Sequence, residues 1–99
     1  MDKTTWVYML RCNDGKYYVG SYRGEDITTR VVEHNAGIYD KAWTKKRRPV
    51  TLVWSDLFPN ADQAVDFERQ IKGWNRKKKE ALIEGRHHEL PALSRRGPT

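Results

Sequence analysis

The chain is poor in several things, and each shortage narrows what it can be. It has one cysteine, Cys12, so an internal disulfide framework and a structural cysteine-based zinc site are both excluded. It has no apolar run long enough to span a bilayer and no signal-peptide core behind its polar start, Met1-Asp2-Lys3-Thr4-Thr5. A cytoplasmic protein without membrane contact is the expectation. There is no internal repeat. At 99 residues and 37% hydrophobic content, one modest core is affordable and a second is not. Acidic side chains are also scarce: 13 Asp and Glu face 19 Lys and Arg, for a net charge of +6. That balance suits a polyanion such as nucleic acid and carries no information about fold.

What is present reads as alternating strands and helices. Thr5 to Arg11 and Lys16 to Ser21 are rich in aromatic and β-branched residues, and Asn13-Asp14-Gly15 lies between them; this is a hairpin signal. Asp26 to His34 predicts a short helix with Asp26 as N-cap and Ile27 and Val31 on one side. Asn35 to Arg48 reads as a long polar connection, followed by an apolar strand from Val50 to Trp54. Asn60 to Trp74 has a capping-box-like start at Asn60 and Gln63, with Ala64, Phe67, Ile71 and Trp74 at helical spacing. A further helix runs from Arg76 to Glu84 and stops at Gly85. The order ββαβαα implies an α+β domain over residues 1–85, with a small, mostly antiparallel three-stranded sheet flanked by helices. Residues 86–99 lack periodicity and read as a flexible basic tail.

The hairpin loop sets which side chains share a face. A three-residue Asn-Asp-Gly loop with Gly15 left-handed pairs Cys12 with Lys16, Leu10 with Tyr18 and Tyr8 with Gly20. Tyr8 and Tyr18 then fall on one face as diagonal neighbours, and Gly20 leaves room over the Tyr8 ring. A two-residue Asp-Gly loop would put the two phenols on opposite faces. The first register is preferred, and sheet aromatics packing a core are the plain alternative to a site.

Two helical positions bear on that choice. Arg30 and His34 project from one helix face a turn apart, as a solvated basic edge or as part of a site. Glu68 falls inside the apolar arc that holds Ala64, Phe67, Ile71 and Trp74. A carboxylate there needs a cation or donors. Lys72, one turn on, is one candidate partner, and a metal ion is the other.

In combination these residues resemble the GIY-YIG nuclease superfamily, in particular its small single-domain bacterial branch. "WVYML" stands at the first motif, with Val7-Tyr8 as its IY and Trp6 in place of its glycine. "YVG", Tyr18-Val19-Gly20, is the second motif. "RVVEHNAG" from Arg30, "AWTKKRRPVTLVW" from Ala42 and "FERQIKGWNRKKKEALI" from Phe67 follow in order. The literal string Gly37-Ile38-Tyr39 is a decoy, since it comes after the first helix. The resemblance implies a catalytic set: Tyr8 as general base or base relay, and Tyr18 on the scissile phosphate or the attacking water. It makes Arg30 the stabiliser of phosphate charge, His34 an assistant to Tyr8 or the leaving group, and Glu68 the ligand of one divalent cation, Mg²⁺ with Mn²⁺ as a substitute. The chemistry is coherent, because phosphodiester cleavage needs an activated water, charge stabilisation and help for the leaving oxygen. Mg²⁺ keeps several waters, so one carboxylate suffices beside substrate oxygens. A phenol is mostly protonated at neutral pH, so the base needs a nearby cation or imidazole.

Two departures stand out. The stretch Ser21 to Asp26 is longer than the common family pattern, and the place where relatives often carry an asparagine falls near Glu80. Lys45, Lys46, Arg47 and Arg48, with Lys72, Arg76 and Lys77, are candidates for phosphate-backbone contacts, or else solvated charge runs. Trp43 reads as loop packing first and as a base-stacking residue second. Cys12 and His87-His88 are given no role. The expected function is metal-dependent hydrolysis of branched, flap or single-stranded DNA, in repair or recombination by family analogy. RNA as substrate, a non-catalytic nucleic-acid module and a protein-interaction domain remain as alternatives.

Overall fold

The structure is a computed structural model describing residues 5–38, 43–86, 88 and 90. Tyr39 of the decoy string, Ala42, His87 and most of the C-terminal tail lie outside the described residues. Strand β1 (Thr5–Arg11) and strand β2 (Tyr17–Arg23) form the hairpin, followed by helix α1 (Ile27–Ala36). A 3-10 turn (Trp43–Arg47), strand β3 (Thr51–Phe58), helix α2 (Ala61–Lys72) and helix α3 (Arg76–Ile83) complete the order. The sheet order is β2-β1-β3, and both pairings are antiparallel.

The hairpin adopts the three-residue loop. Cys12 N donates to Lys16 O at 2.8 Å and Gly15 N to Cys12 O at 2.9 Å. Gly15 takes φ 84°, a value that side-chain-bearing residues avoid. The register follows: Leu10 opposite Tyr18 and Tyr8 opposite Gly20. Helix starts also fall where short polar side chains can cap them. Asp26 accepts from Thr28 N, Asn60 from Gln63 N and Asn75 from Lys78 N, each satisfying a donor the helix itself cannot.

Period-two alternation in β1 splits the core into two. Val7 and Met9, with Val19, pack against Ala64, Ile71 and Leu82, so α2 and α3 cover that face of the sheet. Trp54 and Trp74 are partly buried against this cluster. Tyr8 and Leu10 belong to the opposite face, with Cys12, Ile27 and Val50, and α1 covers it. The central strand therefore serves one face for packing alone and the other for polar chemistry.

Two expectations need correction. The segment read as an unbroken polar connection from Asn35 is not one: α1 continues to Ala36, and Trp43–Arg47 winds into a 3-10 turn. Its cohesion comes from capping contacts that carry no periodic signature. Strand β3 also runs on past Trp54 to Phe58. Ser55, Asp56 and Leu57 pair with Tyr8, Val7 and Trp6, and as edge-strand positions Asp56 and Leu57 keep exposed side chains.

Candidate active site

The sheet face under α1 gathers the polar side chains. Gly20 makes this possible: a Cβ there would lie 2.6 Å from Tyr8 Oη and 2.8 Å from its Cζ. The phenol thus lies across the bare backbone of β2. Arg30 and His34, one turn apart on α1, both reach it. Arg30 Nε donates to Tyr8 Oη at 3.2 Å, and Tyr8 Oη and His34 Nε2 share a hydrogen bond of 3.1 Å. On its other side, His34 Nδ1 is bonded to Thr44 Oγ1 at 2.8 Å. Tyr8, His34 and Thr44 are 0%, 3% and 1% exposed. The solvated-edge alternative for His34 is therefore excluded.

The donor pattern orients the protons. A guanidinium only donates, so the Arg30 contact uses a lone pair of Tyr8, and the phenolic proton can be given to a neutral Nε2. The tautomer that accepts it carries its proton on Nδ1, which then donates to Thr44. Burial, and secondarily the charge of Arg30, pushes His34 below the usual imidazole range, while Glu33 opposes them. The ring is therefore a neutral acceptor at neutral pH. The chain Thr44–His34–Tyr8 is wired to draw a proton inward, away from the phenol oxygen.

Tyr18 completes the aromatic wall. Its ring lies 6.2 Å from Tyr8 and meets His34 edge-on at 5.5 Å. Unlike Tyr8 it is only partly buried, so it is the phenol that faces the outside. Tyr22 carries the Arg30 guanidinium at 5.4 Å over its ring. Thr44 and Tyr22 were not among the expected site residues. Thr44 arrives from a non-periodic segment, and Tyr22 is one more aromatic in an aromatic strand, so neither had a distinguishing signal.

Glu68 projects from α2, and its carboxylate pairs with Lys72 Nζ at 2.7 Å. Its side chain is 15% exposed against 53% for Lys72. Both expected features, enclosure and a cationic partner, are thus present. No group of three or more potential metal ligands occurs among the described residues. A lone, half-buried carboxylate still fits an ion that keeps most of its water, because the exposed lysine can yield its place.

The basic candidates divide sharply. Arg47 Nε donates to Asp14 Oδ2 at 3.0 Å and Arg47 Nη1 to Trp43 O at 3.0 Å. Arg48 bonds Lys45 O and Asn35 O, fastening the end of α1 to the 3-10 turn. Arg76 bonds Glu80 and Gly15 O and covers the Tyr17 ring. These three arginines hold the fold's joints, and Lys72 holds Glu68. Lys77 is exposed. Lys45 and Lys46, with Asn35, Arg48 and Pro49, line an open groove of about 820 Å³. The groove is built from chain neighbours of His34 and Thr44, not from the tyrosines.

Both departures from the family pattern find a structural use. Trp6, standing in place of a glycine, donates its Nε1 proton to Gly24 O at 3.0 Å. It thereby pins the longer Ser21 to Asp26 stretch. Near the place of the missing asparagine, Glu80 accepts from Tyr17 Oη at 3.2 Å, while Asn75 caps α3.

A buried phenol flanked by arginine and imidazole, on a three-stranded antiparallel sheet, defines a domain equipped for acid–base chemistry on an anion. A family model described as the GIY-YIG catalytic domain matches residues 4–81, and the chain belongs to that family. Among curated proteins it is similar to a UPF0213 protein of Staphylococcus saprophyticus, 41% identical over 83 residues, 84% of this chain and 96% of that one. A UPF0213 protein of Staphylococcus epidermidis is 39% identical over 84 residues, covering 85% of this chain and 98% of that one. Two solution structures share the fold. One is a UPF0213 protein of Bacillus halodurans, with TM-score 0.52, 33% identity and 82% and 83% of the two chains covered. The other is an E. faecalis protein, with TM-score 0.57, 32% identity and 89% and 91% covered. Among the described residues no helix is long and apolar enough to cross a membrane.

Proposed function

We propose that the protein is an endonuclease that hydrolyses DNA phosphodiesters, with Tyr8 as the base or base relay. The observation that carries this reading is the Tyr8 oxygen held between Arg30 Nε at 3.2 Å and His34 Nε2 at 3.1 Å. A neutral imidazole is a proton acceptor for the phenol. Tyr8 is fully enclosed, so the oxygen needs uncovering before it meets water. An incoming phosphate supplies the means: a charge-assisted bond from Arg30 to phosphate is stronger than its bond to a neutral phenol. Arg30 then moves onto the substrate, bares the Tyr8 oxygen and offsets the charge developing on phosphorus. Tyr18, the outward phenol, donates to a phosphate oxygen or steers the water.

Glu68 would hold the divalent cation, Mg²⁺ or Mn²⁺, which when bound supplies Lewis-acid stabilisation of the phosphate. The net charge of +6 and the lysine-lined groove favour a polyanionic substrate, and branched, flap or single-stranded DNA is the form we assign to it. A repair or recombination role in the cytoplasm is in keeping with such substrates. The test is cleavage of labelled single-stranded, flap, branched and duplex DNA with Mg²⁺, Mn²⁺ or chelator. We expect metal-dependent cutting that Tyr8→Phe, His34→Ala and Glu68→Gln each abolish. Cutting that survives both Tyr8→Phe and His34→Ala sinks the assignment, and faster turnover of RNA of the same sequence transfers it to RNA.

A further inference from the structure

Trp43 is the most conspicuous side chain that the catalytic reading leaves unused. It is 40% exposed and belongs to neither core cluster. Its ring runs nearly parallel to that of Tyr18, at 19° and 6.2 Å between centroids. The Arg47 guanidinium lies 3.9 Å from the indole centroid, at stacking distance. Tyr18, Trp43 and Arg47 thus form one row of flat groups leading outward from the catalytic wall. Thr44, which braces His34, and Lys45 and Lys46, which line the groove, follow Trp43 directly in the chain.

We propose that Trp43 is a stacking platform for one unpaired nucleobase beside the phosphate held at Tyr18 and Arg30. The proposal rests on the nuclease reading for the placement of that phosphate. A planar base takes the position now occupied by the guanidinium, and Arg47 exchanges its bonds to Asp14 and Trp43 O for a neighbouring phosphate. The exchange replaces one flat stacking partner with another, so the indole face is never left bare. A base inside a duplex has both faces covered by its neighbours; only an unpaired or splayed base can use this platform. Lys45 and Lys46 then hold the backbone on the groove side by charge. The site therefore selects single-stranded segments, gaps or flap junctions without reading sequence.

The test is equilibrium binding of a labelled single-stranded oligonucleotide in chelator, so that no cleavage intervenes. Duplex DNA of the same sequence and oligonucleotides cut to the length of the bound footprint, with one abasic position moved along the strand, serve as comparisons. For wild-type protein, one abasic position is expected to cost about tenfold in affinity, the scale of one base–aromatic stack. Trp43→Ala should lose the same factor on intact single strands and nothing further on that abasic strand, and Trp43→Phe should recover most of it. Duplex affinity should change little. A Trp43→Ala loss equal on duplex, intact and abasic strands overturns the proposal, as does no loss at all. A flat abasic scan with wild-type protein overturns it without reliance on any variant's folding, and so does failure of the wild type to bind single strands. If the binding pattern holds while the wild type never cuts with metal, the nuclease reading falls and the platform stands.

Discussion

His34 is the residue whose chemistry most constrains behaviour in solution. Its burial and the nearby Arg30 charge set its native titration below the ordinary value of 6.5. Unfolded chains then bind a proton that the native protein refuses. The resulting stability is fully present above 6.5 and is lost as pH falls from there towards the depressed native value. Thermal melts between pH 8 and 5 should show this decline, and a His34→Gln variant should show less of it. The cleavage rate should hold at 6.5 and fall only as pH drops through the depressed native value, because a protonated imidazole accepts nothing from Tyr8. Thr44 is tied to the same ring. Thr44→Val leaves a buried Nδ1 without its partner, at a cost of about 1–3 kcal/mol in urea unfolding, and Thr44→Ser should restore most of it. A hydroxyl that merely filled space would give no such separation.

The joints between elements show what a sequence makes legible. Asn35 closes one joint with two bonds: its Nδ2 donates to Val50 O at 3.0 Å, and its Oδ1 accepts from Val50 N at 2.7 Å. The end of α1, and with it His34, is thereby fastened to the start of β3. Asn35→Ala should destabilise by about 1–3 kcal/mol in denaturant titration, while the far-UV helix signal persists. Nothing in the spacing of Asn35 announces this role. By contrast, the hairpin was readable to the register, because Asn13-Asp14-Gly15 admits a left-handed glycine and strand alternation does the rest. Arg30 and His34 were readable as a pair because a helix repeats nearly every four residues. Glu68 was readable as an anomaly in an apolar arc, and the structure supplies Lys72 as its immediate partner. Thr44, Tyr22 and the extension of β3 depend on contacts between distant segments, and local pattern carries no trace of those.

At the scale of the whole molecule, charge and architecture have separable effects. Lys45 and Lys46 line the groove, where their charges can exchange counterions with a nucleic acid. Replacing both with Gln should flatten the slope of log affinity against log salt by about 1.4 for single-stranded DNA, at roughly 0.7 per phosphate contact. Fluorescence anisotropy across a salt series reads this directly. The sheet itself gives one face to Val7 and Met9 and the other to Tyr8 and Leu10, so repacking under α2 can proceed without touching Tyr8 or Tyr18. The enclosure of Tyr8 also has a use outside catalysis. A solvent-borne nitrating reagent should modify the partly exposed Tyr18 readily and leave Tyr8 untouched until the cluster around it opens. Peptide mass spectrometry of the Tyr8 segment then becomes a clock: nitration at that one ring counts how often the site opens, with or without DNA.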